Sequence, residues 1–166
     1  MKKKILGIGA FVVACLSSVL MLAGCGTTEK TFSSDDGISI TLTNEFQEYS
    51  MYGYSLALST ADKAFLAEKV VFNTQGTDEN WTEQEYAQAI VDSNSLDTMS
   101  DVFVDGERNL VYFYYTNVSQ GNNFYYLAVA KKGTDAFWLC QFSCYETRAE
   151  AYKTQFLDWA TTIEVL

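Results

Sequence analysis

LVYFYYTNVSQGNNFYYLAVAKKGTDAFWLCQFSC, residues Leu110–Cys144, is the most informative part of the chain about its architecture. It contains three runs, Leu110–Tyr115, Phe124–Val129 and Phe137–Phe142, that are apolar at both odd and even positions. A strand with one wet face alternates apolar and polar residues with period two. A run that is apolar on both sides is a strand covered on both faces. Ser119-Gln120-Gly121-Asn122 and Lys132-Gly133-Thr134-Asp135 separate the runs and read as hairpin turns, so the strands are antiparallel. The sheet therefore needs two covers.

The flanking sequence supplies them. Trp81–Ser93 reads as a helix opened by a T-x-x-E capping box, Thr82 with Glu85. Trp81 before the cap and Tyr86 after it are placed to form a hydrophobic staple. A second helix is predicted from about Arg148 to Thr161, with Thr147 and Glu150 as its capping box. Its apolar face is Ala149, Tyr152, Phe156, Trp159, Ala160 and Ile163. Further strands are predicted at Ile38–Thr43, within Phe46–Thr60, at Phe65–Phe72, at Asp101–Val104 and at Asn109–Asn117, the last two around an Asp105-Gly106 turn. Residues 37–166 carry no internal linker or repeat and read as one domain. The expected class is α+β: an antiparallel β-sheet flanked by helices, an α/β/α sandwich.

The N-terminus reads as an address. Met1-Lys2-Lys3-Lys4 is a positive start, and Ile5–Gly24 carries no charge. This is the layout of a signal peptide, and it closes on Leu22-Ala23-Gly24-Cys25. The segment resembles a bacterial lipoprotein signal with its lipobox. That resemblance implies cleavage after Gly24, a diacylglyceryl group on the Cys25 thiol, and attachment to the cell membrane facing outside the cytoplasm. Two acyl chains anchor stably where one binds marginally. Removing residues 1–24 takes away three Lys and no acid, so 11 basic and 21 acidic residues become 8 and 21, and the net charge moves from −10 to −13. A domain so acidic is repelled by anionic lipid. Residues 25–36, the lipidated Cys and GTTEKTFSSDD, read as a flexible tether, with a packed strand around Thr31–Phe32 as the other reading.

Composition excludes several activities. The chain has no His, which removes Ser-His-Asp and Cys-His catalysis and imidazole metal ligation. Its negative charge speaks against nucleic-acid binding. Cys140 and Cys144 fall on one predicted strand about 13–14 Å apart, too far for a disulfide, and two thiols are too few for structural zinc. Asp101 and Asp105 fail as a calcium loop because Phe103 and Tyr112 occupy ligand positions. The acid pairs Glu83/Glu85, Asp78/Glu79 and Asp35/Asp36 fall in a helix first turn or in loops. No G-x-S-x-G or S-x-x-K string is present. No catalytic residue, cofactor or metal is expected.

The element order and several strings resemble the PsbP-like group, which also takes in a Ran-binding nuclear-import factor and bacterial lipoproteins such as DcrB and LpqN. The strings are Thr82–Ala87, Asp105-Gly106 followed by Tyr112–Thr116, and Trp138–Cys144 followed by Tyr152–Ile163. The resemblance covers residues 37–166. It implies a non-enzymatic domain that binds or stabilises other proteins at membranes. Metal sites of the photosystem member use His and do not transfer.

One residue group stands out as a partner surface. Tyr112, Tyr114, Tyr115, Tyr125 and Tyr126 sit on adjacent strands of one predicted hairpin, where tyrosines either pack beneath the helices or serve an interface. The expected function is a lipid-anchored extracytoplasmic domain that binds or stabilises an envelope protein or component. The alternatives are a small-ligand or peptide receptor accessory to a transporter and a carboxylate-dependent hydrolase.

Overall fold

Among the described residues, two helices lie on opposite faces of a seven-stranded antiparallel sheet, and a second sheet of three strands shares one of those faces. The computed structural model describes residues 27–94 and 98–166. The signal segment 1–24 and Cys25 lie outside the described residues. In chain order the elements are β1 (Glu29–Ser34), β2 (Ile38–Thr43), β3 (Gln47–Glu48), β4 (Leu56–Ser59), β5 (Lys63–Val71), α1 (Glu83–Ser93), β6 (Phe103–Asp105), β7 (Leu110–Ser119), β8 (Asn122–Lys132), β9 (Ala136–Tyr145), α2 (Ala149–Ala160) and β10 (Glu164–Val165). The larger sheet runs β3-β4-β5-β9-β8-β7-β6 and the smaller β1-β2-β10. The α+β class and the helix-flanked antiparallel sheet are as expected.

The centre of the larger sheet is the β7-β8-β9 meander. Gln120 and Gly121 link β7 to β8 with φ of 50° and 79°, the left-handed pair of a tight hairpin turn. Tyr126 faces Tyr115 on one side and Ser143 on the other, which fixes the register. Beneath α2, Phe142 packs against Phe65 at 5.0 Å and Phe156 at 5.2 Å, and Trp138 and Cys140 are fully buried beside them. Beneath α1, Tyr86 stacks on Phe137 at 4.5 Å, and Ile90 joins Val111, Phe113 and Ala130.

Helix α1 starts at its predicted cap. Thr82 Oγ1 accepts from the Glu85 backbone N–H at 3.2 Å, and the Glu85 carboxylate accepts from the Thr82 N–H at 2.8 Å. The second capping box does not form. A 3-10 turn, Glu146–Arg148, precedes α2, and no side chain caps it. Glu150 pairs instead with Lys153 at 2.6 Å. Helix α2 ends at Ala160 because the Thr161 and Thr162 hydroxyls take the carbonyls of Asp158 and Trp159. Ile163 therefore lies beyond the helix whose period it fits, although it is buried with the α2 cluster.

The tether needs the largest correction. Glu29–Ser34 is not a flexible leash but strand β1, paired with β2 from Glu29↔Thr43 to Ser34↔Ile38. Phe32 goes into the core, and the Thr31 and Thr41 hydroxyls meet at 2.9 Å. Thr28 is also held, its carbonyl accepting from the Asn44 N–H at 2.8 Å. This is the packed strand around Thr31–Phe32 that the sequence offers as its other reading; its outer face is wet and its inner face needs one Phe.

Candidate functional site

The five hairpin tyrosines divide between the two faces of the sheet. Tyr115 and Tyr126 lie on the α1 face, stacked at 4.6 Å and buried. Tyr125 is buried on the α2 face, 6.1 Å from the half-buried Tyr114. A period of two makes this split unavoidable for neighbours in sequence. The set therefore does not form one exposed patch. Tyr115, Tyr125 and Tyr126 are core residues, and only Tyr112 and Tyr114 approach the surface.

Those two meet an exposed margin that no sequence pattern announces. Strand β6 pairs with the start of β7, Phe103↔Tyr112 and Val104↔Val111, and forms the sheet's last strand. Phe103 is 39 % exposed and stacks on Tyr112 at 5.3 Å and on Tyr114 at 5.6 Å. Val104 is 59 % and Val118 63 % exposed. Further along β7, hydroxyl groups stand in for a strand partner. Ser100 Oγ accepts from the Tyr114 N–H at 3.0 Å, and Thr98 Oγ1 accepts from the Thr116 N–H at 3.2 Å. Donors on β7 are thus satisfied up to Thr116, while β6 keeps an outer edge with no strand beside it among the described residues. Asp105 holds the β6–β7 turn, accepting from the Glu107 and Arg108 N–H groups at 3.0 Å each and from the Arg108 guanidinium at 3.2 Å.

On the other face, α1 covers only part of the sheet. The 49–54 loop covers a separate part, Ala57 and Leu66, through Tyr49, Met51 and Tyr54. Polar groups lie between the two covers. Tyr115 donates to Gln141 Oε1 at 2.6 Å in the interior. Ser143 is buried nearby, and Glu68 on β5 is half-buried. Burial raises the Glu68 carboxyl above its ordinary value. Burial also raises the Tyr54 phenol, and the Glu68 charge adds to it. Tyr126 is pushed up to about 12, by burial and then by Tyr54. Along the sequence Glu68 is only one member of a strand. Its isolation depends on how two distant segments roof the sheet, which no local pattern encodes.

Glu85, Asp78 and Glu83, acids singled out in the sequence, have structural employment. Glu85 completes the α1 cap, and Asp78 accepts from the Asn80 backbone and side chain at 2.9 Å. Glu83 accepts from the Lys132 N–H at 2.9 Å. Cys140 and Cys144 lie on β9, buried and free, their thiols pushed by burial to about 12 and about 11. Among the described residues no group of three or more His, Cys, Asp or Glu side chains is placed to hold a metal ion, and no helix is long and apolar enough to cross a membrane.

No family model matches the sequence, and no curated protein is significantly similar to it. Solved structures are similar in fold. The cyanobacterial PsbP protein CyanoP of Synechocystis sp. PCC 6803 aligns over 87 % of this chain and 99 % of its own, at 14 % identity and a TM-score of 0.55. The Ran-binding protein Mog1p of Saccharomyces cerevisiae aligns over 84 % and 96 %, at 7 % identity and a TM-score of 0.53. A Bacteroides thetaiotaomicron protein aligns over 82 % of this chain and 48 % of its own, at 14 % identity and a TM-score of 0.56. The domain thus has the PsbP-like fold that its strings resemble. At these identities the likeness speaks for architecture, and function rests on the site.

Proposed function

We propose that this chain is a lipid-anchored, extracytoplasmic, non-catalytic domain that binds a protein of the cell envelope through the β6–β7 margin. The carrying observation is the exposed Phe103-Val104 edge, backed by Tyr112 and Tyr114. An unpaired strand edge beside aromatic side chains suits a partner that adds a strand and seats side chains in alternation. Tyr and Phe contribute large contact area there at low entropic cost. A Ran-binding protein among the fold neighbours is consistent with protein recognition on this architecture.

The corrected tether bears on how such a domain is held. Three residue steps lead from Cys25 to Thr28, a reach of at most about 10–11 Å. Lipidation at Cys25 holds the Thr28–Asn44 side of the domain close to the membrane. Gln47 of β3 follows Asn44 closely, and β3 and β6 are opposite edges of the seven-stranded sheet. Six inter-strand spacings put about 29 Å between those edges. A lipid on Cys25 would then lie nearer the β3 edge than the β6 margin, and the acidic body favours standing off anionic lipid over lying on it.

The test is crosslinking in intact envelopes, comparing wild type with Val104→Lys and Phe103→Ser, and with Tyr52→Ala as an exposed control away from the margin. The same partner bands are expected in wild type and Tyr52→Ala and absent in the two margin variants. Bands unchanged by both margin variants would contradict the reading.

A further inference from the structure

We propose that the sheet face between α1 and the 49–54 loop is a binding site for an alkylammonium group, held by the Glu68 carboxylate and the surrounding Tyr54, Tyr86, Tyr115 and Tyr126. This goes beyond the proposed envelope-protein function. It concerns the other face of the sheet and does not depend on the lipid or on the β6 margin.

Strand register assembles the group. Three rows cross the α1 face: Glu68, Leu139, Ala130 and Val111; then Leu66, Gln141, Ala128 and Phe113; then Ala64, Ser143, Tyr126 and Tyr115. Glu68 is thus a diagonal neighbour of Gln141. Tyr86 comes from α1 and Tyr54 from the loop, one from each roof. Tyr86 stacks on Phe137, a diagonal neighbour of Glu68 on β9, while Tyr115 reaches Gln141, the other diagonal neighbour, and stacks on Tyr126 at 4.6 Å.

Two observations point to a ligand. The Glu68 carboxylate has no hydrogen-bond or ion-pair partner among the described residues; the ion pairs use Asp62, Asp105, Asp135, Glu150 and Asp158. A half-buried carboxylate without a cation is costly to keep. Among the described residues the hydroxyls of Tyr86, Tyr126 and Ser143 also have no partner, although these residues are only 2 %, 6 % and 5 % exposed. Among the described residues the buried polar atoms sealed off without a partner are Thr43 Oγ1 and Trp138 Nε1. The three hydroxyl oxygens are not sealed, so each faces accessible space from an otherwise buried side chain.

The chemistry selects the ligand. Glu68 repels anions, and an apolar ligand strands its charge. A bare divalent ion needs more oxygen ligands than one carboxylate and phenols supply. An ammonium group brings donors for the carboxylate and phenol oxygens, and its charge is attracted to tyrosine ring faces. A free amine and a lysine side chain offer this same group.

The full-length chain in non-ionic detergent is titrated by calorimetry with n-butylammonium chloride, with N-acetyl-lysine amide and with n-butanol. Saturable binding of either cation at pH 7, with n-butanol at least tenfold weaker, is expected. Preference for the lysine derivative assigns the group to a partner's side chain, and preference for butylammonium assigns it to a free amine. Glu68→Gln should lower cation affinity at least tenfold while Glu48→Gln leaves it unchanged. Tyr54→Phe serves as the second variant should Glu68→Gln fail to fold, and should weaken binding by loss of one acceptor. No saturable binding of either cation, equal binding of n-butanol, or undiminished affinity in a folded Glu68→Gln would overturn the proposal.

Discussion

The Tyr115 hydroxyl reaches diagonally over Ala128 to donate to Gln141 Oε1, joining β7 to β9 across the intervening strand. Both side chains are buried, so loss of the hydroxyl leaves the amide carbonyl without its donor. Tyr115→Phe should cost about 1–3 kcal/mol, the penalty of an unsatisfied interior group. Tyr115→Phe with Gln141→Leu should recover part of the loss. Urea unfolding midpoints of wild type and the two variants give the comparison.

The two predicted capping boxes differ in outcome and so in energy. Thr82→Ala removes a formed cap and should cost about 0.5–2 kcal/mol. Thr147→Ala removes a residue that caps nothing and should fall within about 0.5 kcal/mol of wild type. Thermal melts of the pair separate the outcomes.

Glu68 sets a pH dependence of known sign. Its carboxyl value in the folded chain is raised by burial. Such a group contributes stability that is fully present below its unfolded value, near 4.5, and is lost as pH rises through the folded value. Glu68→Gln should therefore melt higher than wild type at pH 7, with the gap closing below about pH 4. Equal melting temperatures at pH 7 would contradict the isolation of this carboxylate.

Burial makes both described thiols inert. With Cys144 at about 11, its thiolate fraction at pH 8 is about 0.1 %, and that of Cys140 is lower still. Iodoacetamide should leave both unlabelled in the native protein and label both in urea.

What is legible in the sequence is what repeats along the chain or closes within a few residues. Leu110–Cys144 discloses three covered strands because both side-chain parities are apolar, and Thr82 with Glu85 discloses a helix start because a cap is local. Strand β1 is legible only as the second reading of the tether, because its pairing partner lies elsewhere and only Phe32 is buried. Ile163 fits the helical period but follows two threonines that end the helix; the Thr162 hydroxyl also accepts from the Thr41 N–H of β2 at 3.0 Å. The tyrosines are visible, but not which face each occupies. Glu68 and the Phe103–Val104 edge are invisible as sites because each depends on what the rest of the fold leaves uncovered.

A lipid on Cys25 that holds this domain outside the cytoplasm is the premise on which the proposed function stands. Mass spectrometry of the N-terminal peptide from the membrane fraction checks it in a single step. The expected chain starts at Cys25 and carries a diacylglyceryl-sized added mass that is absent in Cys25→Ala. A chain that retains Met1, or a Cys25 peptide with no added mass, would contradict it.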